Sequence, residues 1–454
     1  MKRAVRFICL CLVIGTGTII AQYVEDSIEL GNVEGISLTY NSHSDIIYIG
    51  SDKLFFTLSC STNRVVPRFP MVGGRIVYAS SVNKAYLPVN PYDWCDSVVV
   101  VDGRIHNRIK SIPILCTSEA GVLDDILYDS IGNRVYVAVN YWDYECDQIF
   151  DTIIAVIDCL TDSVVEYINS GDERRVLGLK LNSRHRKLYI LSSLYGEPDG
   201  DAISIVDLRT NQIIKTIVLG GENLYTGCYF EDVDKFYYGG FDGLLGVIDG
   251  ESDSLLRTIS MPPDCFVLGF LPIPGHNLLL IFGRNSQSGM VYVVDALNDS
   301  LLYGLQINGY PAKGIRSGNT GLIYCLCITS ITVIDSTCSR IVTQIPFPDG
   351  IGDGVISPVS GRVYIGVGSK IYVIRDVVGV KENADSYTPK RWNLVTIAKN
   401  GVLWRRETAF LVDITGSKRW ELKEGENNLT FLPAGVYLAI DKNRTLRAKV
   451  VKVK

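Results

Sequence analysis

The hydrophobic and polar positions of this chain follow one repeating pattern. A run of four to six apolar residues ends in an acidic residue, a short polar turn follows, and a second apolar run leads to a glycine, as in ISIVDLRTNQIIKTIVLG at residues 203–220. Apolar runs of this length, rich in Val and Ile and bounded by turn residues, predict strands buried on both faces rather than helices. The two runs with the turn between them therefore predict a β-hairpin.

The acidic residue of this hairpin recurs at intervals of 40 to 56 residues, and Ser59 and Arg375 take its place in two weaker copies. A side chain at this position is expected to accept hydrogen bonds from the backbone N–H groups of its own turn, which is a structural role. The acids are Asp102, Asp158, Asp207, Asp249, Asp295 and Asp335.

A second pattern lies some twenty residues before each acid. It is a polar turn followed by an apolar residue, a tyrosine and another apolar residue, as in NSRHRKLYIL at residues 182–191, and one more short apolar run precedes it. The sixth unit has Leu280 near the place of the tyrosine. Each unit therefore predicts four strands, which make one blade of a β-propeller. The tyrosines are Tyr48, Tyr86, Tyr136, Tyr189, Tyr237, Tyr324 and Tyr364.

The two ends of the repeat region predict how the ring closes. The last unit, VYIGVGSKIYVIRD, stops after its third strand, and SIELG at Ser27–Gly31 matches the pattern of a fourth strand that has no blade of its own. Pairing between them would close the sheet and join the chain ends. The fold predicted is thus an all-β propeller of eight four-stranded blades, with seven blades as the alternative count.

Residues 1–21, with three cations before an apolar stretch, predict a secretory signal peptide, and a single membrane anchor is the alternative. No membrane span is expected after its cleavage. Ten cysteines remain, and Cys95 and Cys146 occupy equivalent loops of neighbouring units, so they are the pair predicted to form a disulfide. Many of the others are expected to be small buried strand residues.

The net charge of −5 is unevenly distributed. From residue 381 onward there are fifteen Lys and Arg against eight Asp and Glu, so the acidic excess lies in the repeat region. An acidic body argues against nucleic acid as a partner. It is compatible with cation binding, calcium included, although no cofactor is predicted.

The units resemble the YVTN family of β-propeller repeats, and residues 184–220, from KLYIL to SIVDLRTNQIIKTIVLG, carry the resemblance best. It implies a propeller domain over residues 22–376. Members of that family are mostly exported or surface proteins, and related propellers include both binding proteins and enzymes.

After a polar linker at residues 377–392, residues 393–454 predict a small β-sandwich, with a plain accessory domain as one interpretation. This stretch resembles the type A C-terminal sorting domain of the type IX secretion system, although TPKRWNLVTI replaces the usual opening of that family. The resemblance implies a secretion machinery as partner, and a secreted or surface location in a bacterium with an outer membrane. The motif residues are Asp413, Gly416, Gly435 and Tyr437.

Long loops between the second and third strands of units two to four predict a binding surface. They combine aromatic rings with carboxylates, which would suit a sugar face, a peptide or a cation, and the alternative is that the rings pack on each other. The candidate ligand-binding residues are Tyr92, Trp94, Tyr141, Trp142, Tyr144 and Tyr195.

The favoured function is a non-enzymatic binding or structural module at the cell surface or outside the cell, with an unknown protein or glycan ligand. The alternative is a lactonase-like or quinoprotein-like propeller enzyme with a site at the mouth of the central channel. The four histidines fall in turns of different units and do not predict a metal site. The innermost strands bring few charged candidates for catalysis: Asp124, Asp125, Glu231, Asp353 and Arg316.

Overall fold

The structure is a computed structural model of the chain. It describes residues 22–70, 74–89, 97–114, 121–143, 148–169, 174–193, 200–219, 224–241 and 243–376. In the C-terminal region it describes residues 395–398, 402–405, 409–413, 418–423, 425–430, 432, 435–440 and 446–452. The chain divides into two compact units, one containing the repeats and the other the C-terminal strands.

The repeat region folds into eight four-stranded antiparallel sheets, which are the blades of a propeller. With the innermost strand first, blades 1 to 4 are β2–β5 (Ser37–Asn41, Ile46–Gly50, Leu54–Ser59, Arg64–Pro70), β6–β9 (Val77–Ala79, Lys84–Val89, Ser97–Asp102, Asn107–Pro113), β10–β13 (Gly121–Asp129, Arg134–Asp143, Gln148–Asp158, Ser163–Asn169) and β14–β17 (Arg175–Asn182, Lys187–Ser193, Asp201–Asp207, Gln212–Leu219). Blades 5 to 8 are β18–β21 (Leu224–Phe230, Lys235–Gly240, Leu244–Asp249, Leu255–Ser260), β22–β25 (Phe266–Ile273, Leu278–Arg284, Gly289–Asp295, Ser300–Ile307), β26–β29 (Pro311–Arg316, Ile323–Cys327, Ser330–Ile334, Ile341–Pro346) and β30–β32 (Ile351–Ser357, Arg362–Val367, Lys370–Arg375) with β1 (Val24–Glu29).

The ring closes as the sequence predicts. Strand β1 pairs antiparallel with β32 and is the outermost strand of blade 8. Glu25 of β1 reinforces this closure, because its carboxylate accepts hydrogen bonds at 2.8 and 2.9 Å from Arg362 and at 3.3 Å from Arg375. The hydrogen bonds and charges of these guanidinium groups lower the pKa of Glu25. The count of eight blades is confirmed, and the alternative of seven is wrong.

The core lies between the blades. Adjacent inner strands are in contact around the whole ring, from β2–β6 to β30–β2. Between each pair of neighbouring blades, buried side chains from their facing sheets form one hydrophobic cluster. Because the middle strands of a blade are covered on both faces, they read as unbroken apolar runs. This burial explains the Val- and Ile-rich pattern of the sequence.

The antiparallel connections define two faces of the ring. The turns between first and second strands and those between third and fourth strands lie on one face, here called the lower face. The turns between second and third strands and the connections between blades lie on the opposite, upper face. The one 3₁₀ helix of the described residues, Glu231–Val233, forms a lower-face turn in blade 5.

A repeated contact, here called the blade interlock, joins neighbouring blades at the lower face. It connects the second-strand tyrosine of one blade with a residue of the last hairpin turn of the next blade. Asp162, Asp253 and Asp299 adopt left-handed backbone conformations in such turns, with φ of 50–57°. Each accepts a hydrogen bond from a tyrosine hydroxyl and one from a lysine two residues before that tyrosine: Tyr86 and Lys84 at 2.6 and 2.7 Å, Tyr189 and Lys187 at 3.1 and 2.7 Å, and Tyr237 and Lys235 at 2.8 and 2.8 Å.

The other interlocks vary this chemistry. The hydroxyls of Tyr48, Tyr324 and Tyr364 contact His106 Nδ1 at 3.0 Å, Asp376 at 2.7 Å and Asn63 at 3.2 Å, respectively. Between blades 3 and 4, the Tyr136 hydroxyl is buried without a hydrogen bond of good geometry, although the Arg134 side chain lies near it, and the facing Asn211 Oδ1 also has no partner. Between blades 6 and 7, Leu280 and Cys338 replace the tyrosine and the acid, and both are fully buried.

The C-terminal unit is also built of strands. Strands β33 (Val395–Ala398), β39 (Leu446–Lys452), β38 (Gly435–Ile440), β35 (Ala409–Asp413) and β36 (Lys418–Leu422) form one sheet in that order. Strands β34 (Val402–Arg405) and β37 (Gly425–Asn428) pair as a second sheet. Strands β33 and β39 are parallel, and the remaining pairs are antiparallel. No helix among the described residues is long and apolar enough to cross a bilayer.

Candidate functional site

Most residues of the predicted aromatic loops fall outside the described part of the chain. These are Tyr92, Trp94, Tyr144, Tyr195 and the two cysteines of the predicted disulfide, Cys95 and Cys146. The backbone of Trp142 belongs to β11, where it pairs with Ile149. The binding role of these residues and the disulfide therefore stay predictions.

Tyr141 lies in a strand rather than in a long loop. It was expected to be an exposed ring of a long loop, but β11 continues to Asp143 and places it within a strand. Its side chain is 4% exposed and packs in the hydrophobic cluster between blades 2 and 3. Tyr141 is a core residue because the two middle strands of blade 3 extend their pairing beyond the length of the other blades.

The six repeated aspartates organise their own hairpin turns. Asp102 Oδ1, for example, accepts hydrogen bonds from the backbone N–H groups of Arg104 and Ile105 at 2.7 and 3.1 Å. The other five likewise accept backbone hydrogen bonds from residues two to five positions later. Backbone hydrogen bonds from Thr161 and Leu160 lower the pKa of Asp158 despite the opposing effect of partial burial. These carboxylates are spaced around the ring and committed to the lower-face turns.

The inner-strand acids are also committed to backbone contacts. Asp125 and Asp353 hold equivalent positions on the inner strands of blades 3 and 8, each just after a β-bulge. Asp125 accepts a hydrogen bond at 2.8 Å from the backbone N–H of Leu179 in blade 4, and it forms an ion pair with Arg75 of blade 2. Asp353 likewise accepts a hydrogen bond at 2.8 Å from the backbone N–H of Leu38 in blade 1. It also forms an ion pair at 2.5 Å with Lys313 of blade 7.

Each of these two acids thus connects three consecutive blades at the wall of the channel. Their carboxylate oxygens accept hydrogen bonds from a backbone N–H group of one neighbouring blade and from a cationic side chain of the other. These contacts hold the blades together. Glu231 lies instead at the lower-face 3₁₀ helix, remote in the blade from the bulged end of the inner strand. Among the described residues, no three His, Cys, Asp or Glu side chains cluster in a way that could hold a metal ion.

Three of the four histidines form contacts between blades. His43 Nδ1 of blade 1 lies 2.6 Å from the Tyr78 hydroxyl of blade 2. His106 receives the Tyr48 interlock, and His185 Nε2 lies 2.8 Å from Asp234 of the next blade. Burial lowers the pKa of His106, and the positive charge of Arg68 lowers it further. These three rings are therefore structural links between blades.

Among the described residues, a group of aromatic rings in mutual contact lies on the upper face of blades 5 to 7. It is a continuous band of four rings and one guanidinium group, here called the aromatic–arginine band. The centroids of Tyr225 and Phe241 are 5.2 Å apart, and those of Phe241 and Phe266 are 5.6 Å apart. The Arg284 guanidinium then lies 4.7 Å from the Phe266 centroid and 5.2 Å from the centroid of Tyr310.

The fold brings these residues together at strand ends. Tyr225 and Phe266 are near the start of inner strands β18 and β22, Phe241 follows β19, and Arg284 ends β23. All of these positions belong to the upper face, where the inner strands begin and the second strands end. The band therefore runs beside the channel entrance.

The band is accessible and carries an unneutralised charge. Tyr225 is 46% exposed and Phe241 is 42% exposed, and the two rings are in contact. In the described part of the chain, no carboxylate lies within ion-pair distance of Arg284. Contact with two aromatic rings favours the cation and fixes the direction of its donors. The arrangement can bind a ligand that combines an apolar face with hydrogen-bond acceptors.

Sequence reasoning missed this band because its members come from five separate segments with no common motif. The available signal was the excess of aromatic residues at the strand ends of blades 5 to 7, in LYTG, GGFDG, DCFVLG and NGYPAKG.

In the C-terminal unit, the predicted motif residues lie on paired strands. Asp413 at the end of β35 is opposite Tyr437 of β38, and Gly435 begins β38 opposite Lys452. Tyr437 is buried. Gly416 lies outside the described residues.

Comparison with known proteins defines the fold class. No family model matches the chain, and no curated protein matches it. Solved structures do match: the computationally designed Ika8 protein has a TM-score of 0.58 at 15% identity, covering 76% of this chain and 99% of that one. The C-terminal WD40 domain of Sif2 has a TM-score of 0.57 at 12% identity, covering 78% and 99%. A chain of the mitotic checkpoint complex has a TM-score of 0.51 at 13% identity, covering 82% and 98%.

The protein is therefore a β-propeller with WD40-like structural neighbours. At these identities the likeness concerns the fold alone, and function has to be argued from the site.

Proposed function

We propose that this chain is an exported, non-enzymatic β-propeller that binds a protein or glycan ligand outside the cell, through the aromatic–arginine band of its upper face. The observation that carries the proposal is the continuous contact from Tyr225 and Phe241 to Arg284, with two rings more than 40% exposed. Exposed aromatic rings that contact each other, rather than lying scattered singly, commonly mark an interaction surface. A rigid strand framework beneath the band keeps the binding surface preorganised.

The acids of the channel wall support binding rather than catalysis. A catalytic carboxylate has to reach a substrate, whereas Asp125 and Asp353 have hydrogen bonds and ion pairs that join blades. The loops of blades 2 to 4 that the sequence predicts to bind, with Trp94 and Trp142, connect second and third strands and are therefore expected on the same face. They would extend the binding surface around the ring.

The location rests on the two ends of the sequence. The signal-like residues 1–21 support export, and the YVTN-like repeats support a surface protein. The sorting-like motifs support delivery by a type IX secretion machinery, and the pairing of Asp413 with Tyr437 shows that two of these motif segments are adjacent in one sheet. The proposed location is the cell surface or the medium of a bacterium with an outer membrane.

Binding is tested with the purified full chain on glycan and peptide arrays, followed by titration of the best ligand. The double variant Tyr225→Ala/Phe241→Ala is expected to lose at least about tenfold in affinity, because each ring contributes contact area at a binding centre. Tyr167→Ala, which removes a ring 38% exposed on outer strand β13, is the matched control and should bind normally. Unchanged affinity of the double variant, with an unchanged unfolding midpoint, would refute a binding role of the band.

Export is tested separately by mass spectrometry of both protein ends in medium, outer-membrane and periplasmic fractions. An N-terminus at Gln22 and loss of the region after about residue 385 from the external form are expected for a processed sorting domain. An intact Lys454 end found in the periplasm alone would contradict the sorting role and would favour a periplasmic function.

A further inference from the structure

A cavity opens on the lower face where blades 6 and 7 meet. Its volume is about 370 Å³, and it lies on the opposite side of the ring from the aromatic–arginine band. Its lining comes from the ends of inner strands β22 and β26 and from the turn that follows β26. The lining residues are Pro272, Pro274, Arg316, Ser317, Gly318 and Gly321.

Both blades that line the cavity lack an inner-strand tyrosine that four other blades carry. At the last but one position of the inner-strand segment, Tyr40, Tyr78, Tyr128 and Tyr229 donate a hydrogen bond, at 2.7–3.4 Å, to a left-handed residue of the following turn. The register of the strand pairs places Pro272 and Arg316 at this position in blades 6 and 7. The acceptor of the turn is also lost in blade 7, where Gly321 is the left-handed residue.

Arg316 is left with unused hydrogen-bond donors. Its Nη1 donates to the Pro274 carbonyl oxygen at 3.3 Å, and its Nε is buried without a hydrogen-bond partner in the described structure. A buried donor without a partner costs free energy, so its retention calls for an explanation. The Nε–H and Nη2 groups lie on the same edge of a guanidinium plane, and this edge can hold an oxyanion through two parallel hydrogen bonds.

Asp376, the acidic residue that contacts the same turn, already accepts several hydrogen bonds. Asp376 accepts hydrogen bonds from the hydroxyls of Ser317, Thr320 and Tyr324, the last two at 2.7 Å. It forms no ion pair with Arg316, and neither does any other carboxylate of the described residues. The contacts of Asp376 hold the turn in place and fix the floor of the cavity beside the guanidinium group.

We propose that this cavity is a binding site for a small oxyanion, a carboxylate or a phosphate group, held by Nε and Nη2 of Arg316. The anion would provide the partner that Nε lacks. The exposed backbone of Gly318 leaves room for it, since an added Cβ there would meet no atom within 4 Å. This site does not depend on the proposed function of the upper face, because the two share no residue.

The test is NMR of the full chain labelled with ¹⁵N at arginine side chains, titrated with acetate or with inorganic phosphate at constant ionic strength. The Arg316 Nε–H signal, identified by its loss in Arg316→Gln, is expected to move in a saturable manner. A response to phosphate alone or to acetate alone identifies the kind of oxyanion. Arg316→Lys keeps the charge but loses the paired donors, and affinity measured by calorimetry should fall at least about tenfold.

A second variant separates binding from any structural role of Arg316. Gly318→Leu should block the cavity and abolish the shift of the Arg316 signal while leaving the guanidinium in place. Gly74→Leu is its matched control, since an added Cβ at Gly74 also meets no atom within 4 Å, and it should bind normally. The proposal is overturned if the signal does not move up to about 20 mM of either anion, where a site of millimolar Kd would be nearly saturated. It is equally overturned if the shift persists in Gly318→Leu.

Discussion

The interface between blades 5 and 6 and the interface between blades 6 and 7 share one backbone geometry but have opposite chemistry. At the first, Asp299 adopts a left-handed conformation and binds Tyr237 and Lys235 at 2.8 Å. At the second, Cys338 adopts the same conformation and faces an apolar cluster that contains Leu280. Both arrangements are buried, and in each case the two sides of the contact are matched in polarity.

The difference indicates that the two sides of an interlock have to match in polarity. A tyrosine opposite an apolar turn residue, or an acid opposite leucine, would leave a buried polar group without a partner. The interface between blades 3 and 4 shows this cost, since neither the Tyr136 hydroxyl nor Asn211 Oδ1 is satisfied there. The bidentate pair of Arg186 with Asp129, at 2.6 and 2.7 Å, joins the same two blades by another route.

The largest effect on the free energy of unfolding should come from removing the acidic residue of an interlock. Asp299→Ala leaves Lys235, whose side chain is 14% exposed, without its carboxylate partner. Of its hydrogen bonds within the described structure, the Lys235 Nζ then keeps only those to the carbonyl oxygens of Ala296 and Leu297, at 2.9 and 3.2 Å. Loss of one partner of a buried ion pair costs about 3–5 kcal/mol. Equilibrium urea unfolding should show this loss, whereas Cys338→Ala at the equivalent apolar position should lower the free energy of unfolding by about 1 kcal/mol. Equal losses in the two variants would mean that the polar interlock contributes nothing beyond packing.

A second experiment converts the apolar interface into a polar one. Leu280→Tyr and Cys338→Asp should each destabilise the protein by about 1–3 kcal/mol, because each buries a polar group without a partner. The double variant should lose less than the sum, with a favourable coupling of at least about 1 kcal/mol in the double-mutant cycle. Additive losses would show that the pairing of side chains does not explain the co-occurrence of Leu280 and Cys338.

The unsatisfied tyrosine gives a finer test. Tyr237→Phe removes a hydroxyl bonded to Asp299 and should cost about 1–2 kcal/mol. Tyr136→Phe removes a buried hydroxyl that lacks a good hydrogen bond, so the change in the free energy of unfolding should be within about 0.5 kcal/mol of zero. Thermal and urea unfolding of both variants would measure the contrast. A loss of more than 1 kcal/mol in Tyr136→Phe would show that Arg134 or water satisfies the hydroxyl.

The fold was predictable because its signals are local and repeated. Strand length and turn residues recur from unit to unit, and six of the eight units carry the acid, so eight blades and closure by β1 follow from the pattern of Ser27–Gly31 and the unfinished last unit. The interlock was not predictable from one unit, since Tyr86 and Asp162 are 76 residues apart and belong to different blades. Its trace in the sequence is an Asp or Asn in the hairpin turn, which looks like ordinary turn chemistry.

The binding surface was less predictable than the fold for a similar reason. Loop length and aromatic content pointed to blades 2 to 4, but Tyr141 proved to be a core residue when β11 extended through it. The aromatic–arginine band joins side chains from three blades, and only the register of the strands brings Phe241, Phe266 and Arg284 together. Arg316 was noticed as a cation of an inner strand, yet its unpaired Nε is a property of the tertiary structure.

The smallest predicted effect concerns the interlock between blades 1 and 2, where His106 replaces the acid. Burial and the charge of Arg68 lower the pKa of His106 in the folded protein, so the unfolded chain binds this proton more readily. Stability from the neutral ring is therefore present above the unfolded pKa of about 6.5 and is lost as the pH falls from that value toward the folded pKa. Urea unfolding between pH 7.5 and 5 should show a shallow decrease in stability.

His106→Asn should remove this pH dependence, because asparagine tolerates the left-handed conformation and can still bind the Tyr48 hydroxyl. The same substitution at the exposed His276, His276→Asn, is the matched control, in which the contribution of His106 to the slope should persist. The aspartates whose pKa is lowered, such as Asp129, release their stabilisation mainly at pH values below about 4 and contribute little in this range. If the pH dependence of stability survives in His106→Asn, the group that titrates between pH 7.5 and 5 lies elsewhere. The interlock of Tyr48 with His106 would then contribute no pH dependence in this range, as expected for the aspartate interlocks.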